Sequence, residues 1–248
     1  MLRVDLDLLP AFGDRGVGHD VAIVIDVLRM TTTATAMLAH GYRRIDVVAE
    51  VDDARALATR TGALLFGERQ GVAPAGFDGG NSPLEHQGPR VEDRAAVLCT
   101  SNGSKAVEAA RARHVLLGAI VNARAVARRA VALADDGVHI VCAGTDGAPS
   151  LDDVVAAGYV LGALTATGAE VDLSDTCVVA MDVAAAAPDP VTGLHRARHA
   201  RTLVDLGFEA DVAFAGDLDR FALVPERRGR SGTTFGRADI DPDEPDLV

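Results

Sequence analysis

The sequence predicts a single α/β domain, because a strand–loop–helix pattern occurs three times, each with polar residues at the end of an apolar strand. The first copy is residues 21–26 followed by Val27-Leu28-Arg29-Met30-Thr31-Thr32-Thr33. The second is 95–99 followed by Thr100-Ser101-Asn102-Gly103-Ser104-Lys105. The third is 138–142 followed by Ala143-Gly144-Thr145-Asp146-Gly147, after which Ser150-Leu151-Asp152-Asp153 opens a helix. In open α/β sheets such loops gather at one edge, where helix N-termini and free backbone N–H groups favour anions. Three of them together predict a site for a phosphorylated or otherwise anionic small molecule.

Taken in order, residues 21–26 read as a buried strand and 31–40 as a helix ended by Gly41. A strand over 44–49 and a helix over 51–61, stopped by Gly62, come next. Leu64-Leu65-Phe66 is a short strand running into Gly67-Glu68-Arg69-Gln70-Gly71. From there to Arg90 the chain is rich in Gly, Pro and polar residues, and a loop of that length is more often functional than idle. Strand 95–99, helix 104–112, strand 114–118, helix 122–133 and strand 138–142 continue the alternation. In the helix over 151–167, Val154, Val155, Gly158, Leu161 and Leu164 share a buried face. A helix over 197–206 and a strand over 211–214 complete a domain spanning 1–225. Beyond Glu226 the chain turns basic and glycine-rich, then acidic and proline-rich, so 226–248 is expected to be a mobile tail.

At 248 residues, 48% of them hydrophobic, the chain is long enough for a full core. No apolar run is long enough to span a bilayer, and the N-terminus lacks a basic start followed by a hydrophobic stretch, so a cytoplasmic location is expected. The formal charge of −12 argues against nucleic acid or an anionic membrane as partner. Any anion site must therefore be locally basic. Lys105 is the sole lysine, and it falls in the second polar loop. Cys99, Cys142 and Cys177 sit in apolar, strand-like runs and lack zinc-ligand spacing, which predicts buried thiols. Many α/β enzymes of this size self-associate, so a homo-oligomer is an open expectation.

Several phosphate chemistries are excluded. There is no Walker-type Gly-Lys-Ser/Thr loop and no Gly-x-Gly-x-x-Gly between a strand and a helix. Asp26-Val27-Leu28-Arg29 lacks the second acid, two residues on, that haloacid-dehalogenase phosphatases use. No Gly-x-Ser-x-Gly elbow or His-Glu-x-x-His helix occurs.

Seven motifs in order then resemble the 2-phosphosulfolactate phosphatase family. They are Asp26-Val27-Leu28-Arg29 with Thr31-Thr32-Thr33, Gly67-Glu68-Arg69, Gly76-Phe77-Asp78-x-Gly80-Asn81-Ser82-Pro83, and Thr100-x-Asn102-Gly103. Asn122-Ala123, Cys142-Ala143-Gly144-Thr145 and Ser150-Leu151-Asp152-Asp153 complete the set over residues 21–158. Ser101 and Ser104 stand where threonine is common, Asp152 where glutamate is common, and Gly79 where a larger residue is usual. The resemblance implies a three-layer α/β/α fold with a mostly parallel or mixed sheet, and Mg²⁺ as cofactor. It also implies hydrolysis of 2-phospho-3-sulfolactate to 3-sulfolactate and phosphate, a step in making coenzyme M.

Residue roles follow, each with its plainer competitor. Asp26 ends an apolar strand, where an unpaired charge costs several kcal/mol, so it reads as metal ligand and catalytic group rather than as a turn cap or partner of Arg29. Glu68, between glycine-flanked strand ends, is a second metal candidate, or an ion pair with Arg69. Asp152 is the third, because Asp153 is expected to serve in a Ser150-x-x-Asp153 cap. Arg29, Arg69 and Lys105 are the expected anion contacts, Arg29 with a catalytic part, since guanidinium matches phosphate oxygens as a fork. Asn102 is assigned to catalysis, and Asn81, Ser82 and Asn122 to orienting substrate. Thr31 and Thr32 either donate to substrate or cap a helix. Arg124 reads as a solvated helix residue, His86 as incidental or a general acid, and Cys142 as packed rather than nucleophilic.

These roles add up to a magnesium-dependent phosphomonoesterase for a small polyanionic phosphorylated substrate. Attack by water at the metal is favoured over attack by Asp26 to give an aspartyl-phosphate. The rival readings are a protein that binds an anionic metabolite without hydrolysing it, and a phosphatase of the same fold for another phosphorylated hydroxy acid.

Overall fold

The structure, a computed structural model, describes residues 1–10, 19–229 and 232–238. Its strands are β1 (Leu2–Asp7), β2 (Val21–Ile25), β3 (Arg44–Val48), β4 (Leu64–Gly67), β5 (Ala95–Cys99), β6 (His114–Gly118), β7 (Gly137–Cys142), β8 (Val171–Leu173), β9 (Pro225–Arg227) and β10 (Thr234–Arg237). Its helices are α1 (Met30–His40), α2 (Val51–Thr61), α3 (Gly103–Ala109), α4 (Ala123–Leu133), α5 (Leu151–Thr165), α6 (Asp175–Ala185), α7 (Pro190–His195), α8 (Arg198–Asp205) and α9 (Glu209–Ala215). The α/β class expected from the sequence is the class observed. Among the described residues no helix is long and apolar enough to cross a membrane.

All ten strands join one sheet, in the order β4-β5-β3-β10-β9-β6-β2-β7-β1-β8. β4, β5 and β3 pair in parallel, as do β6, β2, β7, β1 and β8. Between these blocks, β9 and β10 make three successive antiparallel pairings, so the two blocks run in opposite directions. The segment after Glu226 is therefore no mobile tail where it is described. Its residues 225–227 and 234–237 are the seam of the sheet, and Phe235 is fully buried there, opposite Ile45 and Arg227. Glycine, arginine and acid in this stretch hide a strand signal that only the two neighbouring strand edges complete. Residues 230–231 and 239–248 lie outside the described residues.

Alternation along the fully buried strands sorts side chains into separate cores. Val21, Ile23 and Ile25 of β2 pack with α4 and α5 through Val126, Ala130, Val155 and Leu161. Ala22 and Val24 face the other way, into a core shared with Met30, Ala34 and Met37 of α1 and with Ile45, Phe66 and Leu98 of the opposite block. Ala54 and Ala58 of α2 cover the far side of β4 and β5 at Leu65 and Val97. The layering is helix, sheet, helix. Because both blocks share one core and sheets twist by about 20–25° per strand, strand ends from opposed blocks meet.

Two further differences from the sequence reading matter for the site. The strand expected over 211–214 is the helix α9, because Asp211 is drawn inward by buried polar partners and a short apolar run is ambiguous between strand and helix. His86 is packed rather than incidental. It stands in a 3-10 turn against Tyr42 and Phe66, with ring centroids 5.6 and 5.0 Å away.

Two outcomes follow. Phe235→Ala, judged by urea unfolding, should cost about 3–5 kcal/mol, as large-to-small changes in a packed core do; a surface-like loss under 1 kcal/mol would contradict the seam. Burial, helped by the charge of His40, pushes His86 down to about 4. A histidine with a depressed folded pKa leaves stability intact above its unfolded value near 6.5 and erodes it as pH falls towards 4. Unfolding at pH 7 and pH 4 should therefore show His86→Phe sparing about 3 kcal/mol of acid destabilisation relative to the parent.

Candidate active site

Asp26 follows β2 directly and starts the turn into α1. Hydroxyls of that helix close the turn: Thr31 Oγ1 donates to Asp26 O at 2.9 Å and Thr32 Oγ1 to Val27 O at 2.8 Å. Neither threonine caps α1, which has no side-chain cap, and each hydroxyl proton is used inside the turn. The Asp26 carboxylate is buried, and its Oδ1 receives only a long bond from Met30 N, at 3.4 Å. Its Oδ2 lies against Gly103, where a Cβ would collide with it. The start of α3, from the opposed block, thus touches Asp26, and only glycine permits that approach.

Burial pushes the Asp26 carboxyl up to about 7. His199 opposes the rise, while the charges of Glu68 and Asp152 add to it. Asp152 is likewise raised by burial and opposed by His199, and Ser150 Oγ donates a short hydrogen bond to its Oδ1. Asp26 and Glu68, just past β2 and β4, and Asp152, in the first turn of α5, therefore share one electrostatic neighbourhood.

Glu68 reaches this neighbourhood from β4. Gly67 has φ +149° and a Cβ there would strike the Cys99 carbonyl, so the ends of β4 and β5 press together. Glu68 Oε1 accepts from Ser101 N at 2.9 Å and Oε2 from Gly71 N at 3.1 Å. Its pairing with Arg69 does not occur. The Arg69 guanidinium turns back to Glu68 O, Ala49 O and Cys99 Sγ.

Asp153 was expected to cap α5 with Ser150, but Ser150 makes no side-chain cap bond. Asp153 instead accepts from Val27 N and from Gly144 N, each at 2.9 Å. One buried carboxylate thereby joins the turns after β2 and β7. Asn102 makes the matching link from β5, its Oδ1 accepting from Asp146 N at 3.4 Å, while its Nδ2 makes no hydrogen bond among the described residues. Lys105, one turn on, is exposed and its ammonium has no partner among the described residues.

Other expected site residues stand elsewhere. Arg29 is buried, donating to Asp211 Oδ2 and to Gly71 O at 2.6 Å each, with its guanidinium 4.2 Å from the Phe208 ring centre. Ser82 Oγ donates to the other Asp211 oxygen at 2.6 Å. Asn81 lies beside it, its backbone O accepting from Thr33 Oγ1 and its buried Oδ1 unpartnered. Asn122 is fully buried and internally satisfied: Oδ1 accepts from Ala119 N, and Nδ2 donates to Leu117 O and Leu223 O. It joins the end of β6 to the C-terminal segment. Arg124 pairs with Asp219, and the Cys142 thiol is pushed well up by burial, as a packed rather than nucleophilic cysteine.

His199 and Asp211 escaped the sequence reading. His199 Nε2 bonds Leu28 O at 2.9 Å across 171 residues, and Asp211 pairs with Arg29 across 182. No local spacing announces such contacts. A single acid inside the apolar run of α9 was the one available sign of Asp211.

A divalent cation suits the donor chemistry here. Hard carboxylate oxygens converge, and the elevated Asp26 and Asp152 carboxyls mark negative charge with little to balance it. Among the described residues no three Asp, Glu, His or Cys side chains cluster tightly enough to enclose a metal. Any divalent cation here would be held by at most two of these carboxylates, with its remaining positions left to water and substrate oxygens.

Comparison with known proteins places the chain in a family. The family model described as 2-phosphosulpholactate phosphatase matches residues 13–230. A Deinococcus radiodurans protein named "Probable 2-phosphosulfolactate phosphatase" is 42% identical over 229 residues, covering 90% of this chain and 92% of that one. A Thermus thermophilus protein of the same name is 40% identical over 233 residues, covering 93% and 97%. One from Clostridium novyi is 33% identical over 229 residues, covering 91% and 97%. The chain belongs to the 2-phosphosulfolactate phosphatase family.

Proposed function

We propose that this protein is a magnesium-dependent phosphomonoesterase that hydrolyses 2-phospho-3-sulfolactate to 3-sulfolactate and phosphate. The observation carrying this reading is the buried Asp26 carboxyl, raised to about 7 beside the charges of Glu68 and Asp152 and closed in by Gly103. Family membership supplies the substrate, whose phosphate, sulfonate and carboxylate would bring roughly four negative charges near neutrality.

Asp26 and Asp152 would hold Mg²⁺, with Glu68 beside them. When bound, the metal neutralises charge on the phosphoryl oxygens. Water attacks phosphorus, the bond from phosphorus to the C2 oxygen breaks, and that oxygen leaves with a proton as the hydroxyl of 3-sulfolactate. Among the described residues, the Nδ2 of Asn102 and the ammonium of Lys105 make no bond and are donors available to substrate oxygens. Arg29 and Arg69 act through their positions in the fold, since carbonyls and Asp211 already hold their guanidinium groups. Glu68 keeps the turns after β4 and β5 in register through Gly71 N and Ser101 N.

Phosphate release from phosphosulfolactate, phospholactate and p-nitrophenyl phosphate, with Mg²⁺ and with chelator, tests the reading. Turnover of the sulfonated ester that chelator abolishes and Mg²⁺ restores is the expected result. No turnover of any ester would leave an anion-binding protein, and equal turnover of phospholactate would reject the named substrate. Asp26→Asn should lower kcat about 10²–10⁴-fold. The same change should not destabilise the fold at pH 8, because it removes a buried charge whose pKa is raised. Gly103→Ala should cost about 10²-fold in kcat and about 1–3 kcal/mol of stability, because the added Cβ meets both Asp26 Oδ2 and the buried Met30 side chain.

A further inference from the structure

The turn that carries Asp26 is fastened from several sides, and one fastening comes from the far end of the chain. Val27 N is held by Asp153, and the carbonyls of Asp26 and Val27 by Thr31 and Thr32. Leu28 O is reached instead by His199, in the first turn of α8. A carbonyl only accepts, so the ring nitrogen bonded to it, Nε2, carries the proton and donates at 2.9 Å.

We propose that His199 is a positioning residue for the proposed hydrolysis, pinning the Asp26 turn to α8 through the bond from Nε2–H to Leu28 O. The inference rests on the phosphatase reading for its kinetic consequence and on geometry alone for the pin.

Three observations carry it. The Asp26 carboxylate is poorly fixed by its own bonds, since Oδ1 receives one long contact and Oδ2 only the wall at Gly103. Its location is therefore inherited from the backbone of residues 26–29. The space at Gly103 has no slack, so a small movement of that backbone either drives Oδ2 into α3 or withdraws it. The imidazole also stands near both Asp26 and Asp152, which places the pin at the reacting centre. Misplacement by about 1 Å costs on the order of 10²-fold in rate.

His199→Leu and His199→Gln separate the possibilities, because the glutamine amide can occupy the Nε2 position and still donate to Leu28 O, whereas leucine cannot. His199→Leu should lower kcat about 10²-fold with KM within about threefold of the parent, and His199→Gln should recover activity to within about tenfold of the parent. Amide hydrogen exchange read over residues 26–30 should quicken at least about tenfold in the leucine variant and match the parent in the glutamine variant. Exchange unchanged in the leucine variant overturns the proposal. So does a glutamine variant as slow as the leucine one, which would make ring ionisation the working property. Should the parent hydrolyse no ester, the phosphatase reading falls, and the exchange comparison still decides whether His199 pins the turn.

Discussion

Repulsion between carboxylates kept out of water is the constraint on which the active edge of this molecule depends. Asp26 and Glu68 come from separate strand ends and Asp152 from the first turn of α5, and each would be more comfortable hydrated and apart. The fold holds them together with neutral bonds: Asp153 draws two turns onto itself through Val27 N and Gly144 N, Ser150 donates to Asp152, and Glu68 takes Ser101 N and Gly71 N. Burial raises the Asp26 and Asp152 carboxyls rather than unfolding the chain. A cation bound there would relieve that unfavourable energy.

Those ends meet even though the sheet reverses direction between the blocks. In a uniformly parallel sheet, loops after the strands face one edge, and β2 and β5 would present theirs side by side. Here β9 and β10 reverse the direction between blocks, and the shared core of Ala22, Val24, Met30, Phe66 and Leu98 folds the blocks towards each other. Gly103 then meets Asp26 from across the molecule. The C-terminal segment supplies more than that seam. Asn122 grips Leu223 O, Asp211 holds Arg29, and His199 reaches Leu28 O, so the last third of the chain braces the catalytic turn.

What could be read in advance followed a local rule. The strands over 44–49, 95–99 and 114–118 and the helix over 51–61 announced themselves by apolar runs and glycine stops. Polar residues after strand ends pointed to Asp26, Glu68 and Asn102, and the helix start at Ser150 to Asp152; Asp26, Glu68 and Asp152 lie within one electrostatic neighbourhood. The same rule misassigned residues whose partners lie far off. Arg29 looked like an anion contact because Asp211 is 182 residues away, and Asn122 like a substrate contact because Leu223 is 101 away. Thr31 and Thr32 were ambiguous because hydroxyls serve a ligand or the backbone equally well. The seam strands escaped because a three-residue strand between two finished edges needs almost no propensity of its own.

The most direct measurement is the carboxyl pKa of Asp26, followed by ¹³C NMR in the metal-free protein and again with saturating Mg²⁺. The account predicts a value near 7 without metal and a fall into or below the ordinary aspartate range, about 4, once Mg²⁺ is added. A value near 4 in the metal-free protein, or one near 7 that Mg²⁺ leaves unmoved, would contradict it.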